Sequence, residues 1–201
     1  MSSSVNVDAV ILAAGLSSRM QSPKPLLELG PETFLERTIH MLKNGGCRYI
    51  VAVLNAHDDW TQRLADAAGA AVVINDQAES EQIDSLRVGI RALPPDWDNV
   101  AVLPVDVPLV MDDTVKLLVE VVEAEQPMLT LPFHNGVAGH PVMLGRQLEQ
   151  EIMTGMWEEG VRSIIMSHAR QLREVKVVDP GILIDIDSKE DYWRYIQEKN
   201  R

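Results

Sequence analysis

The sequence predicts an α/β protein of one domain, residues 1–201: a three-layer arrangement in which helices flank a mostly parallel sheet that carries a small antiparallel insertion. Three observations carry that reading. Short apolar, β-branched runs alternate with longer stretches whose apolar residues recur at helical spacing. Gly and Pro punctuate the joints between them. The length of 201 residues suits one well-buried core and is short for two.

The first strand is expected over residues 7–13, a run apolar enough to be buried on both faces, ending in Ala14-Gly15. Residues 33–44 place Leu35, Ile39 and Leu42 on one helical stripe that stops at Gly45-Gly46. A strand over 49–54, a polar helix over 58–67 and a strand over 71–74 continue the alternation. Ile83, Leu86 and Ile90 form the inward face of a helix over 82–93, halted by Pro94-Pro95, and 99–103 is the next strand. Asp112 and Asp113 offer N-terminal caps for a helix with Val115, Leu118, Val119 and Val122 on one side. Short connections with right-handed crossovers then gather the loops at the carboxyl ends of the strands.

Beyond Gln126 the rhythm changes. Strands are expected over 128–131 and 142–144, around a Gly- and His-containing loop at 134–140, as an insertion or antiparallel edge. Helices over 146–152 and 161–168, strands over 174–178 and 182–186, and a closing helix from Ser188 complete the chain.

Composition narrows the function. Eighteen Lys and Arg against thirty Asp and Glu give a net charge of −12, a field that repels nucleic acid and anionic membrane faces. A phosphate-bearing substrate would therefore need local cations and a metal ion. The lone Cys47 cannot form an internal disulfide, which fits a cytoplasmic setting, and neither a secretion signal nor a spanning segment is expected.

The stretch from Leu12 through Ala13, Ala14, Gly15, Leu16, Ser17, Ser18, Arg19, Met20, Gln21, Ser22 and Pro23 to Lys24 leaves a buried strand through small residues. It then presents hydroxyls and two cations. Amide dipoles and point charges of this kind can hold a polyanion; the plain alternative is a turn whose Arg and Lys are solvated. Asp106, within Leu103-Pro104-Val105-Asp106-Val107-Pro108, sits past the end of an apolar strand, either as a ligand-binding carboxylate or as a turn residue. Asp185 and Asp187 are spaced by two, which on a strand end puts both on one side, as hard oxygen ligands for magnesium or manganese. Ser188, with Glu190 and Asp191, serves as a helix start. His140 is held between Gly139 and Pro141 and reads equally as structural or as a substrate contact.

The first loop is similar to the signature Leu-Ala-Ala-Gly-x-Ser-x-Arg-Met-Gly-x-x-Lys of the nucleotidyltransferases with a glycosyltransferase-A-like, Rossmann-like fold, the MobA-like NTP transferases. It matches at Leu12, Ala13, Ala14, Gly15, Ser17, Arg19, Met20 and Lys24 and departs at Gln21. The Asp106 segment and Asp185-Ile186-Asp187-Ser188-Lys189-Glu190-Asp191-Tyr192 fall where that family places further loops. Gly139-His140-Pro141-Val142 resembles the molybdenum cofactor cytidylyltransferase branch. Ser85-Leu86-Arg87-Val88-Gly89 is similar to its base-recognition segment, but Glu81, Gln82, Ile83 and Asp84 stand where small residues are expected; Ser85 and Arg87 also read as a helix start and a solvated side chain.

The resemblance implies transfer of CMP from CTP to a phosphate-bearing acceptor, molybdenum cofactor, with release of pyrophosphate and with Mg2+ or Mn2+ as cofactor. It assigns Arg19 and Lys24 to catalysis, Leu12, Ala13, Ala14, Gly15, Ser17 and Ser85 to the nucleotide, His140 to the acceptor, and Asp106 and Asp187 to the metal. A molybdoenzyme maturation partner belongs to the same expectation. Ala13-Ala14 resembles cytidylyl-transferring members, whose guanylyl relatives read Ala-Gly-Gly there. Sugar or alcohol phosphate acceptors, and a nucleotide-binding regulator that has lost turnover, are the alternatives.

Overall fold

The structure is a computed structural model that describes residues 5–15, 20, 22–55, 59–76 and 81–197. Its strands are β1 (Val7–Leu12), β2 (Glu28–Leu29), β3 (Glu32–Thr33), β4 (Ile50–Leu54), β5 (Ala71–Ile74), β6 (Asn99–Pro104), β7 (Leu129–His134), β8 (Val137–Ala138), β9 (Val142–Gly145) and β10 (Leu172–Lys176). The helices are α1 (Phe34–Asn44), α2 (Asp59–Ala68), α3 (Gln82–Arg91), α4 (Asp112–Glu125), α5 (Glu149–Thr154), α6 (Val161–Ser167) and α7 (Lys189–Tyr192).

β1 lies inside the sheet, between β6 and β4, with side chains that apart from Asp8 are apolar on both faces. Val7, Ala9 and Ile11 enter one core with Phe34, Leu35 and Ile39 of α1 and with Val115, Leu118 and Val122 of α4. Val10 and Leu12 enter a second core with Ile83, Leu86 and Ile90 of α3, Ile152 of α5 and Ile164 of α6. Period-two alternation on a strand covered on both sides thus produces the three layers.

The sheet order is β10-β7-β9-β6-β1-β4-β5, with β8 folded back on β7. β1 pairs in parallel with β4 and β6, β4 with β5, and β7 with β10. β9 runs antiparallel to both β6 and β7. The antiparallel strand therefore lies inside the sheet, not at its edge as one reading of the sequence had it. The β7–β8 hairpin turns the chain back so that β9 fills the place beside β6.

Local chemistry explains the helix ends. Thr33 Oγ1 accepts from Glu36 N–H at 3.2 Å while Thr33 N–H donates to Glu36 Oε2 at 2.8 Å, a capping box that starts α1. Glycine follows its last residue, and Gly46 adopts φ 99°. Asp112 and Asp113 do not cap α4: Met111 holds that position, and its N–H donates to Asp179 Oδ2 at 2.8 Å. A carboxylate from a distant segment supplies the acceptor. Asp112 instead pairs with Arg37 at 2.7 Å.

The strand expected over 182–186 is also absent. Pro180–Leu183 forms a 3-10 turn in which Asp179 Oδ1 accepts from Gly181 N–H, and the chain then runs extended, joined to the 106 loop by Ile186 N–H donating to Asp106 O at 2.8 Å. Pro180 sets φ for the turn and removes a ladder donor. The start of the second helix at Asp58 lies outside the described residues, and no described helix is long and apolar enough to cross a membrane.

Candidate active site

β1 and β6 run side by side in register, Leu12 opposite Pro104, so the loops that follow them emerge together. Val105 N–H donates to Leu12 O at 3.1 Å and fixes Asp106 at the rim beside Ala14 and Gly15. The Ile186–Asp106 backbone bond brings Asp187 to the same rim. Lys24 opens a 3-10 turn, Lys24–Leu26, whose entry is stiffened by Pro23 and Pro25. Its Nζ donates to Asp106 Oδ2 at 2.6 Å and to Asp187 Oδ1 at 2.5 Å. One cation therefore draws together two carboxylates from different loops, 82 and 163 positions from it along the chain.

Electrostatics follow from that geometry. Burial works against the Lys24 ammonium, but hydrogen bonds to Asp106 and Asp187 and their charges outweigh it and hold its pKa above the ordinary value. Asp185 is pushed up, first by partial loss of hydration and then by the neighbouring Asp106 and Asp187 carboxylates, with Lys24 pulling the other way. Three acids thus face one described ammonium. No group of three or more His, Cys, Asp or Glu side chains forms a ready-made metal cage among the described residues.

A cleft of about 220 Å3 opens beside Asp106, lined by Leu12, Ala14, Gly15, Ser85 and Pro104, with Glu81 and Gln82 at its helix side. A Cβ on Gly15 would meet nothing within 4 Å, so open space lies in front of that backbone. Ser85 Oγ accepts from Asn75 Nδ2 at 2.9 Å. The Ala13 side chain is buried in the α1 and α4 core, because the strand alternation that points Ala14 at the cleft points Ala13 away. Ser17, Arg19 and Gln21 lie outside the described residues.

His140 is placed by its N–H donating to Ile182 O at 3.0 Å. Its ring Nδ1 is sealed from solvent with no hydrogen-bond partner among the described residues, and burial lowers its pKa while the Asp106 charge opposes the shift. Arg87 is not solvated: its guanidinium donates to Ile152 O at 2.9 Å, Gly155 O at 2.5 Å and Asp84 Oδ1 at 3.1 Å, tying α3 to the end of α5. Asp84 and Glu81 belong to the start of α3, where Glu81 N–H donates to Asp84 Oδ2 at 3.2 Å. Sequence reasoning passed over Asp179, although Asp179-Pro180-Gly181 is a turn signature.

Residues 9–173 match the model of the MobA-like NTP transferase domain. The chain belongs to that family. It is 28% identical over 202 residues to the molybdenum cofactor guanylyltransferase of Shewanella sp. (strain ANA-3), covering 98% of this chain and 99% of that protein. Identity to the molybdenum cofactor cytidylyltransferase of Escherichia coli (strain K12) is 22% over 186 residues, 92% of this chain and 93% of the other. The bifunctional protein GlmU of Mycolicibacterium gilvum is 33% identical over 130 residues, but the match spans only 26% of its length. Among solved structures, Rv0371c from Mycobacterium tuberculosis H37Rv superposes with a TM-score of 0.80 at 25% identity, covering 96% of this chain and 99% of that one. The MobA-like chain is accordingly a nucleotidyltransferase with the α/β architecture of its relatives.

Proposed function

We propose that this nucleotidyltransferase moves CMP from CTP onto the phosphate of molybdenum cofactor and releases pyrophosphate. The observation that carries the reading is Lys24 Nζ held between Asp106 and Asp187 at the edge of the cleft formed by Leu12, Ala14, Gly15 and Ser85. One cation already engages both carboxylates, and Asp185 adds charge beside them, so this set of hard oxygens suits Mg2+ or Mn2+. Asp106 and Asp187 would hold such an ion, which would supply positive charge to offset the charge that develops at the reacting phosphorus.

The protein's own groups do the rest by alignment, because an acceptor phosphate oxygen is already a nucleophile. Lys24, exchanged from the aspartates to the triphosphate, and Arg19 hold the leaving pyrophosphate. Backbone amides of residues 14–17, Ser17 included, hold the nucleotide, and Ser85 keeps its hydroxyl proton to donate because Asn75 already bonds its oxygen. His140 has Nδ1 sealed, so Nε2 is the nitrogen that meets the acceptor, from a ring that burial keeps neutral. Small molecules are the partners, together with a molybdoenzyme that receives the product; no nucleic acid or membrane takes part, and the setting is cytoplasmic. A single catalytic domain, residues 1–201, does the work.

The Ala14 methyl lines the cleft and takes space that a glycine would leave to a larger base. It supports CTP, whereas similarity to a guanylyltransferase over 98% of the chain favours GTP as the second reading. Pyrophosphate release is measured with four nucleoside triphosphates, Mg2+ or Mn2+, and either molybdenum cofactor or a panel of sugar and alcohol phosphates. The expected outcome is turnover with CTP and molybdenum cofactor, and a shift of about tenfold toward GTP in Ala14→Gly. Turnover only with a sugar or alcohol phosphate replaces the acceptor. Ligand-induced thermal stabilisation without turnover under any pairing would make the protein a nucleotide-binding regulator, a reading motivated by Glu81 in the cleft.

A further inference from the structure

Asp179 is 1% exposed and lies outside the cleft, with no ion-pair partner among the described residues. Its carboxylate is held by three donors. Met111 N–H and Thr114 Oγ1–H reach Oδ2 at 2.8 Å each, and Gly181 N–H reaches Oδ1 at 2.8 Å. Met111 ends the loop that follows Asp106, Thr114 stands in the first turn of α4, and Gly181 belongs to the segment that leads to Asp187. The segments then stay in contact along their length. A Cβ on Gly181 would stand 2.1 Å from Leu109 O, so only glycine permits that approach, and Ile186 N–H donates to Asp106 O at 2.8 Å.

From this closed seam we propose that Asp179 is a positioning residue for the metal-binding aspartates, setting the distance between Asp106 and Asp187. The proposal rests on the reading of those two side chains as metal ligands. Segment 179–187 has no ladder partner among the described residues; Ile182 and Ile186 anchor it in the core and His140 N–H holds Ile182 O, while its register against the 106–111 loop is set by the Asp179 and Ile186 bonds and by Gly181 between them. Loss of the Asp179 clamp frees one end. Asp187 then no longer stands opposite Asp106 when a cation arrives, and the entropy of ordering the segment is taken from the binding free energy. His140 is coupled to the same seam through Ile182 O, which a Cβ on Gly139 would approach to 2.3 Å.

The test titrates Mn2+ alone, read by electron paramagnetic resonance of the free ion, into the full chain and its variants, with Tm measured on each. Asp179→Asn keeps the size of the side chain but presents an amide to three donors. Thr114→Val removes one donor and keeps the shape. Ile164→Ala, on the opposite face of the sheet, supplies a variant destabilised without touching the seam. Asp179→Asn is expected to weaken Mn2+ binding about tenfold and Thr114→Val in the same direction by less, with Ile164→Ala within about twofold of the parent protein. Equal Mn2+ affinity in Asp179→Asn and the parent overturns the proposal, as does an equal loss in Ile164→Ala, which would make the effect one of stability. If Asp179→Asn does not fold, Thr114→Val decides alone. A parent protein whose Mn2+ binding is untouched by Asp106→Asn defeats the metal reading itself, and the positioning role falls with it.

Discussion

Because the Lys24 ammonium bridges Asp106 and Asp187, Lys24→Ala leaves two carboxylates facing each other across the gap it spanned. That variant is expected to lose Tm in a chelator and to regain it with Mn2+, since a ligand of the native state alone stabilises by mass action. In pyrophosphate release, Lys24→Ala and Asp106→Asn should each fall by about 100-fold or more; full rate in either overturns the site. Asp185 makes a pH-dependent case. Its folded pKa is raised, so its charged form is penalised in the native state; the penalty is fully present above the folded pKa and disappears as pH falls below the unfolded carboxylate range. Asp185→Asn should therefore raise Tm of the metal-free protein at neutral pH, and the gain should shrink toward pH 4. A gain independent of pH would assign it to packing. Among the loop residues, Lys24, Asp106 and Asp187 were legible as residue types with a chemistry, but the reading did not separate Ala14 from Ala13, because the face each presents depends on which way β1 is turned in the sheet.

Gly89 shows how an element is matched to its neighbour. It lies inside α3, where glycine ordinarily weakens a helix, yet a Cβ there would stand 2.4 Å from Val10 Cγ1 and 3.0 Å from Val53 Cγ2. The missing side chain lets α3 lie close on β1 and β4, and that contact sets the wall of the cleft that Ser85 lines. Gly89→Ala in an exposed helix would stabilise by about 1 kcal/mol; here overpacking should destabilise by about 1–3 kcal/mol in urea unfolding. Stabilisation would mean that α3 can lift without cost. The helices were legible because their apolar stripes and terminal Gly or Pro are written within a single window. The β2–β3 hairpin, of two residues a side, and the turn at Pro180–Leu183 were not, since an apolar run such as 182–186 is compatible with strand or coil until its partners are known.

Across the molecule, the ends of the sheet are kept in place by different chemistry. Opposite the cleft, Asp8 at the start of β1 is fully buried and accepts from Arg48 at 3.0 and 2.9 Å and from Tyr49 N–H at 3.1 Å, while Arg48 also reaches Asp96. Hydrogen bonds to Asp8 and Asp96 raise the Arg48 pKa, and Cys47 beside them is pushed up to about 12 by burial and then by the Asp8 charge, which keeps it an inert thiol. Arg48→Met should cost on the order of 3 kcal/mol in chemical denaturation by stranding the Asp8 charge, and the double variant with Asp8→Leu should recover most of it. No recovery would show that the guanidinium acts through packing alone. The sheet, the helices and the residue types of the rim loops could be read from the chain because periodicity and propensity act over ten or twenty neighbouring residues. The interior place of β9, the clamp of Asp179 on α4, and the meeting of Lys24 with Asp187, 163 positions apart, could not, because each depends on which distant segments are brought into contact, and that is settled by packing the whole core at once.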